Sequence, residues 1–322
     1  MSEREMVRDL SEGEILRRIL ARTGRATVTE VGPGDDAAVL AVTGSVVATT
    51  DTLVDGPDFR REWSTGYDLG WKAAAVNLAD VAAMGARATS LLVALAVPGE
   101  TPVGEIEAMA DGLREACDTL APGCAVVGGD LTQSSVLTIA VTALGDTDGR
   151  PPVLRSGARS GDVVAIAGDM GVSARGLDML FERYDGSPPA LDELRDADRH
   201  AVERHLRPRP PLTSGPVAAA AGATAMMDVS DGLALDASRI ADASNVTLDL
   251  HASALGDDPS LALRGGEDHA LLATFPPAAV PADFREIGRV LPRADAPVTV
   301  DGSPYRGHGG WDPYRDWSSP TP

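Results

Sequence analysis

Residues 70–86 read GWKAAAVNLADVAAMGA, and from position 73 onward nearly every residue is Ala, Val, Leu or Met. An alanine-rich run of this length predicts a helix over about 67–84. A helix that is apolar all round has no face to offer water, so it must be buried and the rest of its domain must be built around it. Only Asn77 and Asp80 interrupt the pattern, and their i, i+3 spacing puts them on one face. A buried Asp left alone costs several kcal/mol or takes up a proton. Its partner is an arginine, a cap or a metal ion, and the helix by itself does not choose among them.

Other acids bear on that choice. Asp36 sits in VGPGDDAAVL, beside Asp35 and just before an apolar run. Asp51 closes the strand SVVATT, and Asp130 follows the strand CAVV through two glycines. Asp228 and Asp231 flank Val229 and Ser230, between ATAMM and the helix that begins GLALDASRI. Ligand sites of α/β sheets gather at the carboxyl ends of strands. With 48 acidic residues, any one of these alone reads as a solvated charge, and Asp231 alone reads as an N-cap. Taken together at strand ends, they repel one another and require cations. Oxygen donors without His or Cys pairs select a hard ion such as Mg²⁺, which commonly bridges carboxylates to phosphates, and so point to a nucleotide. A P-loop is excluded, because the single lysine, Lys72, follows Trp71 instead of glycine. Kinase strings of the H-R-D and D-F-G type are absent as well.

The net charge of -20 disfavours nucleic acid and anionic membranes as partners. An acidic surface with one lysine resembles that of salt-adapted proteins. No run of eighteen apolar residues occurs and the N-terminal MSEREMVRDL is charged, so a cytoplasmic protein is expected. Cys117 and Cys124 are too few for a disulfide framework.

At 322 residues the chain suits two domains. Ser11 and Glu14 form a capping box ahead of a helix reaching about Arg22. The runs AAVLAV and SVVATT read as two strands joined by a turn at Thr43 and Gly44. A strand ATSLLVALAV, a helix over about 103–120 and the strands CAVV and VLTIAVTAL complete a mixed α/β or α+β domain over 1–150. The Gly, Pro and Arg-rich stretch 145–162 reads as a linker. Residues 151–322 form a second α/β domain, with strands VVAIAG, VTLDL, HALLATF and APVTV, helices over about 174–183 and 191–205, and an irregular tail.

The motifs GDDAAV, TTDTLVDG, the 70–86 helix, GGD at 128–130, MMDVSDGL and GGEDHALL occur in the order found in thiamine-monophosphate kinases. The chain resembles that family, part of the aminoimidazole-ribonucleotide synthetase-like superfamily, over residues 34–272. The resemblance implies a two-domain fold whose N-terminal mixed sheets pair in a homodimer. It implies ATP-dependent phosphorylation of thiamine monophosphate to thiamine diphosphate, with Mg²⁺ as cofactor. Carried over motif by motif, Asp36, Thr49, Thr50, Asp51, Asp80, Asp130, Asp228 and Asp231 would hold Mg²⁺, with Asp35 a turn residue. Gly129, Asp130, Arg155 and Ser230 would contact ATP, and Glu267 and Trp311 the substrate. The acceptor is already a phosphate, so no general base is assigned.

The pattern departs from the family at Asp58, which stands where the family usually has a substrate-contacting His, and in GWDPY near the C-terminus. Related ATP-dependent enzymes, selenophosphate synthetase and the hydrogenase-maturation dehydratase, use a cysteine near one terminus, whereas Cys117 and Cys124 lie mid-domain. A non-enzymatic divalent-ion binder would account for the carboxylates but not for GGED or Arg155.

Overall fold

The structure, a computed structural model, describes residues 5–33, 37–183, 191–307 and 310. The described residues of Met1–Val81 and Arg87–Gly149 form one compact unit. Those of Ala82–Ala86, Arg150–Arg183 and Ala190–Pro322 form a second.

In the first unit, α1 (Glu12–Leu20) is capped by Ser11, whose side chain accepts the Glu14 N–H. It is followed by β1 (Thr29–Val31), β2 (Val39–Leu40) and β3 (Val46–Val54). Then come α2 (Gly66–Ala83), β4 (Arg87–Val97), α3 (Val103–Leu120), β5 (Ala125–Gln133) and β6 (Thr138–Asp146). A four-stranded sheet runs in the order β3-β6-β4-β5, with β4 and β5 parallel and the other neighbours antiparallel. Ile139, Val141 and Ala143 of β6 are buried on one face, and the residues between them look out from the other. As its composition requires, α2 is buried from Trp71 through Ala79, including Lys72 at 3% exposure.

Glycine sets how closely α2 and α3 pack. A Cβ on Gly70 would lie 2.0 Å from the Met109 carbonyl oxygen, and one on Gly112 would lie 2.1 Å from that of Tyr67. Gly→Ala inside a helix ordinarily stabilises by about 1 kcal/mol. Here a rigid carbonyl occupies the space, so overpacking of about 1 to 3 kcal/mol outweighs that gain. Gly112→Ala is therefore expected to lower the urea midpoint; an unchanged or higher midpoint would show that the helices can separate freely.

The expected hairpin of AAVLAV with SVVATT is not formed. Instead β2 pairs with β1, and β3 pairs with β6 over its whole length. The Asp146 carboxylate at the end of β6 accepts the N–H groups of Thr43 and Gly44, and Thr147 Oγ1 accepts that of Ser45. These bonds direct the chain onto β6. The strands also outlast their apolar runs: Asp51 and Asp130 lie within β3 and β5, not at their ends. Both are edge strands of their sheet, β3 paired only with β6 and β5 only with β4, so the ladder can continue through polar residues that meet water.

The second unit contains β7 (Val163–Ala167), α4 (Val172–Arg183), α5 (Asp196–Leu206), α6 (Ser214–Ala221), β8 (Ala225–Val229) and α7 (Leu233–Ser244). It continues with β9 (Val246–Leu250), α8 (Pro259–Arg264), β10 (Ala270–Phe275), β11 (Arg285–Pro292), β12 (Val298–Val300) and β13 (Ser303–Pro304). Its seven-stranded sheet has the order β13-β12-β9-β11-β7-β10-β8, antiparallel except where β12 meets β9. Leu233, Ala237, Ile240 and Ala241 of α7 pack with Leu248, Leu272 and Val290 of the sheet in one apolar core. No helix among the described residues is long and apolar enough to cross a membrane.

Candidate active site

In the first unit, the polar face of α2 bears on β3. Asn77 is 1% exposed; its Nδ2 donates to the Ala73 carbonyl at 2.9 Å, and its Oδ1 accepts the Asp51 N–H at 3.0 Å. One turn on, Asp80 Oδ2 accepts the Thr49 hydroxyl at 2.8 Å. Asp80 is half-buried, not fully buried as expected, because its position turns it from the helix core toward that strand. Alternation along β3 puts Thr49 and Asp51 on this face and Thr50 on the other. The Thr50 hydroxyl donates to the Val141 carbonyl, so its side chain does not join the Thr49–Asp80 pair.

Register carries the same division across the sheet. Asp51 is level with Val141, Val93 and Gly129, whereas Asp130 is level with Ala94, Ala140 and Thr52 on the outer face. Three strand spacings, about 14 Å, also separate β3 from β5. Asp51 and Asp130 therefore do not share one ion within the chain. Gly129 is required where it stands, since a Cβ would lie 2.0 Å from the Val93 carbonyl oxygen. Gly129 and Asp130 line one end of a groove of about 930 Å³ whose other walls include Leu16, Ile19, Leu113 and Leu95. That volume falls in the range of small-molecule sites. Asp58 closes the turn after β3, its Oδ2 accepting the Val54 N–H at 2.8 Å, so part of its carboxylate is committed to the backbone.

In the second unit, the loop after β8 and the loop before β10 lie side by side because the two strands are paired. Glu267 N–H donates to the Ser230 carbonyl and His269 N–H to that of Val229. A Cβ on Gly266 would lie 2.3 Å from the Ser230 oxygen. Glu267 and His269 both adopt positive φ, 63° and 52°, a conformation that costs side-chain-bearing residues about 1 to 3 kcal/mol. Asp228 is buried against His269, with Nδ1 3.0 Å from Oδ2. Asp231 pairs with Arg239 at 2.7 Å. It is not the N-cap of α7, a position held by Gly232. Instead Asp236, fully buried in the first turn, reaches back to accept the N–H groups of Ser230, Asp231 and Gly232, and also pairs with Arg239. Arg155 is exposed in the loop ahead of β7. Asp36 and Trp311 lie outside the described residues.

Among the described residues, no three His, Cys, Asp or Glu side chains are disposed around one ion. The donors on this face, the paired Thr49 and Asp80 and the carboxylate of Asp51 on the same side of β3, are all oxygen, which fits a hard ion completed by phosphate and water. In the second unit Asp228 is hydrogen-bonded to His269 and Asp231 is ion-paired with Arg239.

Residues 34–147 match the AIR synthase related protein, N-terminal domain family. A thiamine-monophosphate kinase of Mycobacterium tuberculosis is 42% identical over 331 residues, 98% of this chain and 95% of that protein. The crystal structure of the corresponding kinase of Stenotrophomonas maltophilia K279a superposes with a TM-score of 0.75 at 34% identity, over 91% of this chain and 96% of that one. The solved complex of AaThiL with AMPPCP and TMP gives 0.75 at 31%, over 96% and 99%. The chain belongs to the thiamine-monophosphate kinase family.

For a member of this kinase family, the informative residues missed by reading motifs are Asp236, Asp268, His269 and His205. Asp268 Oδ1 accepts the Ser173 N–H at 2.7 Å, while its buried Oδ2 has no hydrogen-bond partner. Burial, partly offset by Arg239, pushes Asp236 up to about 6. Burial, partly offset by the N–H groups of Ser173 and Gly171, pushes Asp268 up to about 6 as well. The unfolded value is near 3.9. Between about pH 4 and 6 the folded kinase therefore holds protons that the unfolded chain releases, and stability rises as pH falls through that range. Metal-free protein is expected to gain about 1 kcal/mol per group between pH 7 and 5. Asp146 and Asp249, held below the usual carboxylate range, give up their contribution only at lower pH. Asp268→Asn should flatten the slope of urea midpoint against pH; an unaltered slope would reassign the proton.

Proposed function

We propose that this chain transfers the γ-phosphoryl group of ATP to thiamine monophosphate, giving ADP and thiamine diphosphate, and that it works as a Mg²⁺-dependent cytoplasmic homodimer adapted to salt. The kinase relatives and the neighbour solved with AMPPCP and TMP support the reaction. The observation within the chain that carries the reading is the face of α2 on β3, where Asn77 accepts the Asp51 N–H, Thr49 donates to Asp80, and Thr49 and Asp51 share the strand face turned to the helix.

Bound there, Mg²⁺ would neutralise phosphate oxygens and set the two phosphates in line. Asp51, Asp80 and the Thr49 hydroxyl would hold it, together with Asp36. Gly129 and Asp130 would receive the nucleotide in their groove, and Arg155 would offset its charge. Asp228 and Asp231 would also hold Mg²⁺ and Ser230 would contact ATP, with Glu267, Asp58 and Trp311 assigned to the thiamine moiety. The acceptor oxygen is already anionic, so alignment and charge neutralisation replace a base. Thr50 and Asp130 share the outer face of the first sheet with Leu92, which is 37% exposed, and that face is the one proposed to pair with a second copy.

The test is turnover of ATP and Mg²⁺ with thiamine monophosphate in molar salt, with ADP and thiamine diphosphate as products. Free thiamine lacks the phosphate that a metal would bridge and should turn over slowly. Equal or faster turnover of free thiamine would reject the assignment.

A further inference from the structure

Behind Glu267 and Asp268 the second unit holds two further buried polar side chains, His205 and Ser173. His205, in the last turn of α5, is 6% exposed, and Ser173, in the first turn of α4, is fully buried. His205 Nδ1 lies 3.1 Å from Glu267 Oε2 and 3.2 Å from Ser173 Oγ. The Ser173 N–H in turn donates to Asp268, the residue after Glu267. The contacts close a ring: Glu267 to His205, His205 to Ser173, Ser173 to Asp268, and Asp268 back through one peptide bond to Glu267.

An ionised carboxylate only accepts, so in this arrangement Nδ1 carries the hydrogen and donates it to Glu267. A charge-assisted bond of this kind is stronger than a neutral one. Ser173 Oγ, beside the same nitrogen, can accept a share of that hydrogen and so holds the same tautomer. Glu267 itself is part-exposed, with 36% of its side chain open, so one oxygen is held while the side chain remains accessible. Its backbone is fixed independently by the Glu267 N–H to the Ser230 carbonyl and by the close approach of Gly266, and the contact with His205 restrains rotation of the carboxylate.

We propose that His205, steadied by Ser173, is a positioning residue that orients the Glu267 carboxylate toward the thiamine moiety of the substrate. The proposal rests on the reading of Glu267 as a substrate contact. A fixed carboxylate favours a ligand that presents a cationic ring or an amino donor. It would act on binding of that moiety and leave the phosphoryl transfer and the nucleotide untouched.

The experiment measures KM for thiamine monophosphate, KM for ATP and kcat with saturating Mg²⁺ for the full chain. His205→Phe, which keeps ring volume and removes the donor, is expected to raise KM for thiamine monophosphate about tenfold. KM for ATP and kcat should stay within about twofold. His205→Asn, whose amide nitrogen falls near the Nδ1 position, should restore most of the affinity, and His205→Gln, whose amide falls near Nε2, should not. The Asn and Gln pair decides the matter if the Phe protein does not fold. Adding His205→Phe to Glu267→Gln should cost nothing further. A Glu267→Gln protein with unchanged KM for thiamine monophosphate would overturn the reading of Glu267 and the proposal together. Raised KM in Glu267→Gln but not in His205→Phe, or equal behaviour of Asn and Gln, would overturn the proposal alone.

Discussion

Asp80→Asn is expected to lower kcat about a hundredfold or more while leaving the metal-free protein as stable as its parent, within about 1 kcal/mol. The Thr49 hydroxyl donates to Asp80 Oδ2, and an asparagine oxygen accepts the same bond. Shape and hydrogen bond therefore survive the change, and the negative charge alone is lost. If that charge serves a metal ion, about 3 kcal/mol of electrostatic stabilisation goes with it, enough for the loss in rate. If Asp80 instead answers a buried arginine, the mutation strands a cation at about 3 to 5 kcal/mol and turnover survives in whatever folds. Denaturant midpoints in EDTA at constant salt, set beside turnover, separate the cases. An active but unstable variant would sink the metal assignment.

Asp236→Ala should do the opposite, removing stability first. Asp236 lies entirely out of solvent, and its Oδ2 accepts three successive N–H groups from Ser230, Asp231 and Gly232. Burying its charge is costly, as its upward shift to about 6 records, and relief of that cost offsets part of the loss. Each stranded N–H costs about 1 to 3 kcal/mol, and Arg239 loses one of its two carboxylates. A net loss of about 3 to 5 kcal/mol is the expected balance, measured as the urea midpoint of the metal-free protein at pH 7. Asp236→Asn keeps an acceptor for the three N–H groups and should lose less. If alanine and asparagine cost the same, the N–H groups are not what Asp236 supports.

What could be read from residues alone follows from how far each property depends on neighbours. Burial of α2 needed no partner to be named, because its composition leaves no wet face. The shared face of Asn77 and Asp80 followed from helical period. Their partners did not, since the Asp51 N–H and the Thr49 hydroxyl reach them only once β3 lies over the helix. The run SVVATT read as a strand but was silent on its mate, and the neighbouring run was chosen in place of β6. The decisive group was the Asp146 side chain, about a hundred residues away. REIGRVLP escaped notice because its charges mask the alternation, although it forms β11 in the middle of the second sheet. Asp236 looked like any acid in a first helical turn, where it would suit the dipole. His205, in the last turn of a helix, had an equally ordinary excuse. Both acquire their surroundings from segments distant in sequence.

Burial of the single lysine has a practical corollary. Lys72 is 3% exposed inside α2, so the folded chain presents essentially no lysine amine to solvent. Amine-directed dyes, crosslinkers and resin couplings that rely on surface lysines will find none, and acylation of Lys72, read on its own peptide to set aside the α-amino group, becomes a site-specific reporter. Its rate in graded urea would follow the opening of the first unit alone, with no background from the second.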